Sequence, residues 1–176
     1  MSRPARLACL PPVTPPRMRA AVLGSMPGGA ALAARQYYAH PRNSFWPLMA
    51  ELFGVDAGAP YARRLRGLRA RGVGLWDVLA SCERAGSLDQ AIVRATAVLN
   101  ELEPWLAGKQ LRAVALNGQL AAGLFRRHAA PRLAASLAER GVAVLALPST
   151  SPANARGGYP AKLAAWRRFA AAVTRD

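Results

Sequence analysis

Residues 20–29 read AAVLGSMPGG, and this short stretch organises the remainder of the chain. Its apolar run, 20–23, is typical of a buried strand in a parallel sheet. Gly24 and the sequence Pro27-Gly28-Gly29 must end that strand in a sharp turn, where the lack of side chains lets a ligand approach the backbone. Open α/β sheets bind ligands at the carboxyl ends of their strands. The stretch therefore predicts a ligand site directly after the first core strand.

The next segment, YYAHPRNSFW at residues 37–46, combines aromatic and polar side chains. Tyr37 and Tyr38 are either core aromatics or a platform for a stacked base, an interaction worth about 1–3 kcal/mol. His40 has an extended backbone imposed by the following proline, and it either holds a loop carbonyl or meets a ligand. Asn43 either caps the next helix or supplies a catalytic amide, and one residue can do both. A core needs the aromatic rings but not these polar groups, so the segment is a second part of the candidate site.

Four apolar runs alternate with helical patterns, as in a parallel sheet covered on both faces. The predicted strands are 20–24, 73–78, 111–116 and 142–147. The predicted helices are 43–52, 60–71, 99–107, 119–128, 132–140 and 160–173, with one more beginning near Asp89 after a polar loop at 81–89. The predicted fold class is α/β, with three α/β/α layers around a central four-stranded, mainly parallel sheet.

The chain has 176 residues, a length that fits one domain. Residues 1–19 contain five prolines among basic residues and predict an extended arm, with Leu7, Leu10 and Val13 available to dock on the body. Residues 20–176 are predicted to form the single domain. No apolar run approaches the roughly 18 residues of a membrane span, and the apolar core of a signal peptide is missing.

Charge predicts a polyanionic partner, because 24 lysine and arginine residues face only 9 acidic ones, for a net charge of +15. Only Lys109 and Lys162 are lysines. A coding bias toward GC-rich codons also explains arginine over lysine, but it leaves the shortage of acids unexplained. The arginines of the predicted helix 60–71 are either a solvated face or a surface that follows phosphates. Nucleic acid is the preferred interpretation.

Several common site chemistries do not fit the motifs. The glycine turn lacks the Lys-Ser/Thr ending of a P-loop and the spacing of a dinucleotide fold. It is also not a G-x-S-x-G nucleophile elbow. Cys9 and Cys82 lack metal-ligand spacing, which argues against a zinc deaminase and indicates reduced thiols in a cytoplasmic protein. We expect no metal and no cofactor.

A further polar segment, PSTSPAN at residues 148–154, directly follows the last predicted strand. Its hydroxyl groups form either a tight turn or a grip on a phosphate, which short side chains and backbone N–H groups allow. Asn117 ends the third predicted strand and fits a cap better than a ligand. Asp77 and Asp89 are expected to orient loops rather than to perform acid–base chemistry.

Taken together, these segments resemble the uracil-DNA glycosylase superfamily, most closely its hypoxanthine-DNA (deoxyinosine) glycosylase branch. The matching pieces cover the chain from about Leu10 to the last helix, and they are GSMPG at 24–28, YYAHPRNSFW at 37–46, LWDV at 75–78, GSLD at 86–89, Asn117-Gly118 and LPSTSPAN at 147–154. The first two pieces and the last are specific as a set. The resemblance implies that 24–28 is the active-site turn and 148–154 the loop that grips DNA.

The resemblance also implies residue roles. Many relatives have Asp, Glu or Asn in the first motif to position water, whereas this chain has Ser25, and the hypoxanthine branch relies on the asparagine that is Asn43 here. The expected catalytic residue is thus Asn43. The expected base-binding residues are Ser25, Met26, Pro27, Gly28, Tyr38 and His40, and the expected DNA-binding residues are Ser149, Thr150, Ser151, Asn154 and Arg156.

The implied function is that of a monofunctional DNA glycosylase in base excision repair. It would hydrolyse the N-glycosidic bond of a flipped deaminated base in double-stranded DNA, hypoxanthine first and uracil second. The alternatives are a uracil or thymine mismatch-specific glycosylase and a non-catalytic nucleic-acid-binding module. The protein is expected to be a monomer that binds no membrane.

Overall fold

The computed structural model describes residues 4–175. Its strands are β1 (Arg6–Ala8), β2 (Ala20–Gly24), β3 (Val73–Asp77), β4 (Leu79–Arg84), β5 (Ile92–Leu99), β6 (Ala113–Asn117) and β7 (Ala143–Leu147). Its helices are α1 (Gly29–Ala34), α2 (Phe45–Phe53), α3 (Tyr61–Ala70), α4 (Leu102–Leu106), α5 (Gln119–Leu124), α6 (Ala130–Glu139) and α7 (Gly158–Thr174). A 3-10 turn at Asp89–Ala91 precedes β5, and a π-helical turn at Phe125–Ala129 joins α5 to α6.

The central sheet has four parallel strands in the order β3-β2-β6-β7. Strand β2 lies in the middle and is buried along its whole length. Its side chains alternate between the two faces, as the pleat requires, so that Ala20 and Val22 join one core and Ala21 and Leu23 the other. The predicted α/β fold with a four-stranded parallel sheet is confirmed.

Helices cover both faces of this sheet. Helices α2, α3 and α7 pack on one face, with Phe45, Leu68 and Trp166 in the core they enclose. Helices α4, α5 and α6 pack on the other face, where the core includes Leu106 and Phe125. Strands β2, β3 and β6 are thus buried from two sides, which explains why their apolar runs are continuous rather than alternating, whereas β7 at the edge of the sheet is partly exposed.

A second, three-stranded antiparallel sheet in the order β1-β4-β5 was not predicted. The predicted helix beginning near Asp89 is wrong, because one 3-10 turn there leads into β5. The first four residues of the predicted polar loop at 81–89 belong to strand β4, and the loop begins only after Arg84. The sequence of β5, IVRATAVL, is rich in β-branched residues that favour strands. Its pairing with β4 then satisfies the backbone of both strands.

Residues of the proline-rich arm pack against the body. Strand β1 pairs with β4, and Val13 exchanges two backbone hydrogen bonds with Leu75, at 2.8 and 3.0 Å. Leu10 and Val13 are buried in the same core as β2. The first three residues of the arm lie outside the described residues. None of the helices within 4–175 has the length and hydropathy that a membrane span requires.

Trp166 joins α7 to the loop after β7 and is expected to be a major contributor to stability. Its side chain is 0% exposed, and its Nε1 donates to the Pro148 carbonyl at 3.1 Å. Replacing it with alanine leaves a cavity and an unpaired carbonyl, so Trp166→Ala should lower the free energy of unfolding by about 3–5 kcal/mol. Urea denaturation measures the change. Val144→Ala, at an exposed site on β7, is the control and should cost less than about 1 kcal/mol.

Candidate active site

The parallel register brings the polar strand ends to one edge of the central sheet. Gly24 pairs with Asp77 across β2 and β3, and Asn117 pairs with Leu147 across β6 and β7. Ser25 and the 148–154 loop continue from these ends. Residues from four separate parts of the sequence therefore line one edge, as the position of each motif after a strand predicted.

Two hydrogen bonds between Asn117 and Thr150 hold the 148–154 loop to the sheet. Asn117 Nδ2 donates to Thr150 Oγ1 at 3.0 Å, and the Thr150 backbone N–H donates to Asn117 Oδ1 at 2.9 Å. The Thr150 carbonyl then accepts from the Ser44 backbone N–H at 2.9 Å. The loop after β7 and the segment 37–46 consequently meet, although they are about a hundred residues apart in sequence.

Asn43 lies at this junction, and only the oxygen of its side-chain amide makes a hydrogen bond in the described part of the chain. Its Oδ1 accepts from the Phe45 backbone N–H at 2.9 Å, so it closes the start of α2. Its Nδ2 makes no hydrogen bond to any residue within 4–175. The side chain is therefore held in place by its oxygen and has two N–H groups left to donate.

His40 is used locally. Its Nδ1 accepts from the Arg42 backbone N–H at 3.1 Å, and its carbonyl accepts from the Asn43 N–H at 2.8 Å. Both contacts shape the turn that presents Asn43. The structural interpretation of His40 therefore has direct support, and a contact to a base stays a prediction.

The two adjacent tyrosines have different environments. Tyr37 is a buried core residue whose hydroxyl donates to the Leu10 carbonyl at 3.1 Å. Tyr38 has a left-handed backbone, φ +56°, and its ring stacks on Phe45 with 3.9 Å between centroids. The strained backbone aims the Tyr38 hydroxyl inward, where it is buried without a hydrogen-bond partner among the described residues.

A buried carboxyl group lies beneath this tyrosine. Asp77 is 4% exposed, and its Oδ2 has no hydrogen-bond partner within the described chain. A Cβ on Gly24 would collide with Asp77 Oδ1 and lie 3.7 Å from the Tyr38 hydroxyl, so only glycine leaves room for both groups at this point. Burial, assisted by the negative charge of Asp89 and opposed by Arg84, raises the pKa of Asp77 to about 7. Burial and the nearby Asp77 also raise the pKa of Tyr38 above its ordinary value.

The turn after β2 is held by the connection between β4 and β5. Ser25 Oγ donates to Asp89 Oδ1 at 2.8 Å, and the Gly29 N–H donates to Ser87 Oγ at 2.9 Å. Arg84 is 3% exposed and donates from Nη2 to the Pro27 carbonyl at 2.6 Å. Met26 is buried with the second sheet, and Gly28 is half-buried beside Ser87.

The 148–154 loop is stabilised by its own side chains. Ser149 Oγ accepts from the Ser151 N–H at 3.2 Å, and Asn154 Nδ2 donates to the Ser149 carbonyl at 3.2 Å. Lys162 is buried, and its Nζ donates to the Ser151 carbonyl at 3.2 Å. Thr150 is 0% exposed and acts as an internal support. Ser149, Ser151 and Asn154 are half-buried and Arg156 is exposed, so these residues line the surface of the loop.

Two surface cavities lie away from the predicted site residues. Their volumes are about 380 and 210 Å³, and the larger one lies between Val78, Glu101, Pro104, His128 and Arg132. Neither is lined by any of the predicted site residues. No group of three or more His, Cys, Asp or Glu residues that could hold a metal is found within 4–175.

Asp77 was expected to orient a loop and Asn117 to cap a strand end, and each of them ends a core strand at this edge. Two further parts of the site were missed. Arg84 and the contact between Asp89 and Ser25 had no comparable signal, because both depend on a sheet that was not predicted.

Comparisons with known proteins agree with this architecture. A family model described as the uracil DNA glycosylase superfamily matches residues 11–170. A hypoxanthine DNA glycosylase of Methanosarcina barkeri is 33% identical over 114 residues, which is 62% of this chain and 69% of that protein. Its namesake in Methanosarcina acetivorans is 32% identical over 105 residues, 57% of this chain and 63% of that protein.

A solved structure also matches nearly the whole chain. It is a solution NMR structure of a Methanosarcina acetivorans protein provisionally named uracil DNA glycosylase. The TM-score is 0.77 at 25% sequence identity, and the match covers 97% of this chain and 100% of that one. The similarity therefore extends over both sheets and all the helices between them.

The raised pKa of Asp77 predicts how stability depends on pH. A carboxyl group whose pKa is higher in the folded than in the unfolded state binds its proton preferentially when folded. The free energy of unfolding should therefore decrease as pH rises from about 4, the ordinary value for Asp, to about 7. Asp77→Asn should flatten this decrease and be more stable than the wild type at pH 8.

Urea denaturation of both proteins between pH 4 and pH 8 measures this difference. Asp56→Asn is the matched control, because Asp56 is an exposed carboxylate that accepts a local hydrogen bond from the Gly58 N–H at 3.0 Å. Equal slopes for the wild type and Asp77→Asn would contradict the prediction.

Asn117 and Thr150 are expected to be energetically coupled. Removing the buried amide leaves the Thr150 N–H unpaired, so Asn117→Ala should cost about 1–3 kcal/mol. In a double-mutant cycle with Thr150→Val, we expect a coupling of at least about 0.5 kcal/mol. The control partner is Thr174→Val, an exposed hydroxyl bonded within α7, whose effect should simply add. A coupling energy of zero between Asn117→Ala and Thr150→Val would contradict the prediction that the two hydrogen bonds stabilise the loop together.

Proposed function

Because the chain belongs to the uracil DNA glycosylase superfamily, we propose that it is a monofunctional DNA glycosylase acting on a deaminated base in double-stranded DNA. The observation that supports this most strongly is the meeting of two distant polar segments at the sheet edge. The Ser44 N–H and the Thr150 carbonyl join them, with Asn43 and Tyr38 directly beside the junction.

The chemistry suits these groups. Cleavage of an N-glycosidic bond leaves positive charge on the sugar and negative charge on the departing base. The Nδ2 of Asn43 is held by its partner oxygen and can donate to that base, and a fixed donor of this kind stabilises charge better than mobile water. The neighbouring phosphates of the DNA can stabilise the sugar cation. Catalysis at Asn43 therefore does not depend on a carboxylate at position 25.

Hypoxanthine is the first substrate we propose and uracil the second. Two relatives that are 33% and 32% identical carry the name hypoxanthine DNA glycosylase, which supports this order. The target base has to leave the stack at a cost of a few kcal/mol, least for a weak or mismatched pair. The hydrogen-bonding edge of hypoxanthine carries both donor and acceptor groups. Such an edge suits a site in which the Tyr38 hydroxyl and Asp77 Oδ2 have no hydrogen-bond partner among residues 4–175.

Basic side chains next to the site support duplex DNA as the partner. The first turn of α3 is joined to the site, since the Tyr37 N–H donates to the Tyr61 hydroxyl at 3.0 Å. Arg64 stacks on Trp46 at 4.7 Å from the ring centroid, and Arg63, Arg66 and Arg69 are exposed. The surface loop 148–154 and Arg156 lie on the other side. We propose that both surfaces contact phosphates of the same duplex.

The glycosylase should lack strand-cleaving lyase activity. Such activity needs an amine that attacks the sugar, and Lys162 is the lysine nearest the candidate site. Its Nζ is buried behind the loop and bonded to the Ser151 carbonyl. Borohydride should therefore trap no covalent complex with DNA. We further propose a monomer located in the cytoplasm, where the free thiols of Cys9 and Cys82 stay reduced.

A second candidate function is a nucleic-acid-binding module without catalysis. Ser25, which stands in the turn after β2 in place of a carboxylate, favours it. That function predicts salt-sensitive DNA binding with no release of a base. A mismatch-specific uracil or thymine glycosylase differs from the first proposal only in the preferred base.

The experiment that decides among these is base release from defined duplexes. Duplexes carrying deoxyinosine, deoxyuridine or a G·T mismatch are incubated with the protein, and abasic sites are then cleaved with alkali. We expect product from deoxyinosine first, and alkali-dependent cleavage only. If no duplex gives product while all are bound, the binding module is the correct function.

Asn43 variants test the proposed catalytic role. Asn43→Asp keeps the oxygen that accepts from Phe45 but loses the N–H donors, and Asn43→Ala loses both. Each should lower the single-turnover rate about 10²–10³-fold, the usual effect of losing one such donor. DNA affinity should be retained. Gln110→Ala, an exposed amide near the opposite end of β6, is the matched control. A fully active Asn43→Asp would remove Asn43 from this role.

A further inference from the structure

The connection between β4 and β5 delivers a carboxylate to the active-site turn. Asp89 Oδ1 accepts the Ser25 hydroxyl proton at 2.8 Å, across 64 residues of sequence. Asp89 belongs to the 3-10 turn that was not expected from the sequence. The turn after β2 itself contains no acidic residue, so this contact supplies the carboxylate that its own sequence lacks.

Asp89 is held at this position by the backbone around it. Arg84 Nη2 donates to the Pro27 carbonyl at 2.6 Å and Arg84 Nε to the Gly86 carbonyl at 3.0 Å, so one buried side chain joins the two loops. The Leu79 N–H donates to the Ser25 carbonyl at 3.0 Å. These contacts fix the two loops, and the Asp89 side chain itself is held by its hydrogen bond to Ser25, so it loses less entropy when it engages a substrate.

One oxygen of Asp89 remains available. Oδ1 is bonded to Ser25, whereas Oδ2 makes no hydrogen bond to the residues that the structure describes. The residue is exposed to solvent, in contrast to Asp77, which is sealed beneath Tyr38. Asp89 is therefore the carboxylate at this edge that can take a proton from a water molecule without a rearrangement.

Asp89 and Asn43 are linked through the same edge. Asn43 bonds to Phe45, Phe45 stacks on Tyr38, and the Tyr38 hydroxyl lies next to Gly24, the residue before Ser25. Asn43 and Asp89 therefore belong to one connected edge, an arrangement that would let Asn43 act on the base and Asp89 on the attacking water.

We propose that Asp89, oriented by Ser25, is a catalytic residue that positions and deprotonates the water in the glycosylase reaction. This inference rests on the proposed function. The water oxygen forms a bond to C1′ of the deoxyribose while the bond from C1′ to N9 of hypoxanthine breaks, and that electron pair leaves with the base. One water proton passes to Asp89 Oδ2. The base takes a proton from solvent, and Asp89 later returns its own proton to solvent.

The surroundings of Asp89 determine its pKa and therefore the pH range in which it can accept this proton. Partial desolvation of the carboxyl group by its neighbours raises the pKa of Asp89, and the hydrogen bond from Ser25 and the charge of Arg84 oppose this shift. Asp77 of β3 and Cys82 of β4 are the other titratable groups that interact with it. The rate should rise with pH through the pKa of Asp89, because only the carboxylate form accepts the proton.

The test compares Asp89→Asn with the wild type in single-turnover assays on a deoxyinosine duplex. Asparagine keeps an oxygen for the Ser25 hydroxyl but removes the base, so we expect a loss of about 10²–10³-fold. The rise of rate with pH should disappear in Asp89→Asn and persist in Asp77→Asn. Sodium formate should partly restore Asp89→Ala, because a small carboxylate can occupy the vacated space. Asp56→Asn is the control for loss of one exposed negative charge and should keep the wild-type rate and profile.

The outcomes separate this inference from the proposed function. A wild-type protein that releases hypoxanthine, with Asp89→Asn equally active or with an unchanged pH profile, overturns the role of Asp89 and leaves the glycosylase function standing. A wild-type protein that releases no base from any duplex overturns the function. If Asp89→Asn loses activity because the turn is disordered, its DNA affinity falls as well and formate restores nothing, and that pattern also overturns the catalytic role.

Discussion

The buried pair of hydrogen bonds between Asn117 and Thr150 is the interaction on which the candidate site depends. It ties the loop after β7 to the end of β6, and the Thr150 carbonyl then holds Ser44 at the start of α2. A buried hydrogen bond adds little to the net free energy of unfolding. Removing one partner lowers that free energy much more, because the other partner stays buried and unpaired. The rim of the site is consequently set by the interior of the protein and not by the mobility of its surface loops.

Unpaired polar atoms collect next to this tie. The hydroxyl of Tyr38, Oδ2 of Asp77 and Nη1 of Arg84 are all buried without a hydrogen-bond partner within residues 4–175. Each such atom costs about 1–3 kcal/mol, and the positive φ of Tyr38 adds strain at the same place. These unpaired atoms at one edge of the sheet are groups to which a polar ligand could form hydrogen bonds. Pairing these atoms with a bound base would recover part of that cost.

The small antiparallel sheet braces this edge. It contributes no strand to the central sheet, yet Arg84 and Asp89, which follow from β4 and its connection to β5, fix the turn after β2. The N-terminal arm joins the two sheets, because β1 pairs with β4 of the small sheet and Val13 pairs with Leu75 of β3 in the central sheet. The parallel sheet thus gathers the polar strand ends, and the second sheet orients them.

The sequence by itself determined the central architecture. Continuous apolar runs, the glycines after β2 and the arginine-rich pattern of α3 act over a few residues, so each can be recognised without knowing its neighbours in space. The positions of Ser25 and the 148–154 loop at strand ends, and of Asn43 before the start of a helix, followed from the same local signals. Only the tertiary structure decided that Asp89 begins a 3-10 turn before a strand rather than a helix, that Thr150 points inward, and that Asp89 reaches Ser25. Those features depend on pairing between β4 and β5 and on contacts across 64 residues, which no local pattern encodes.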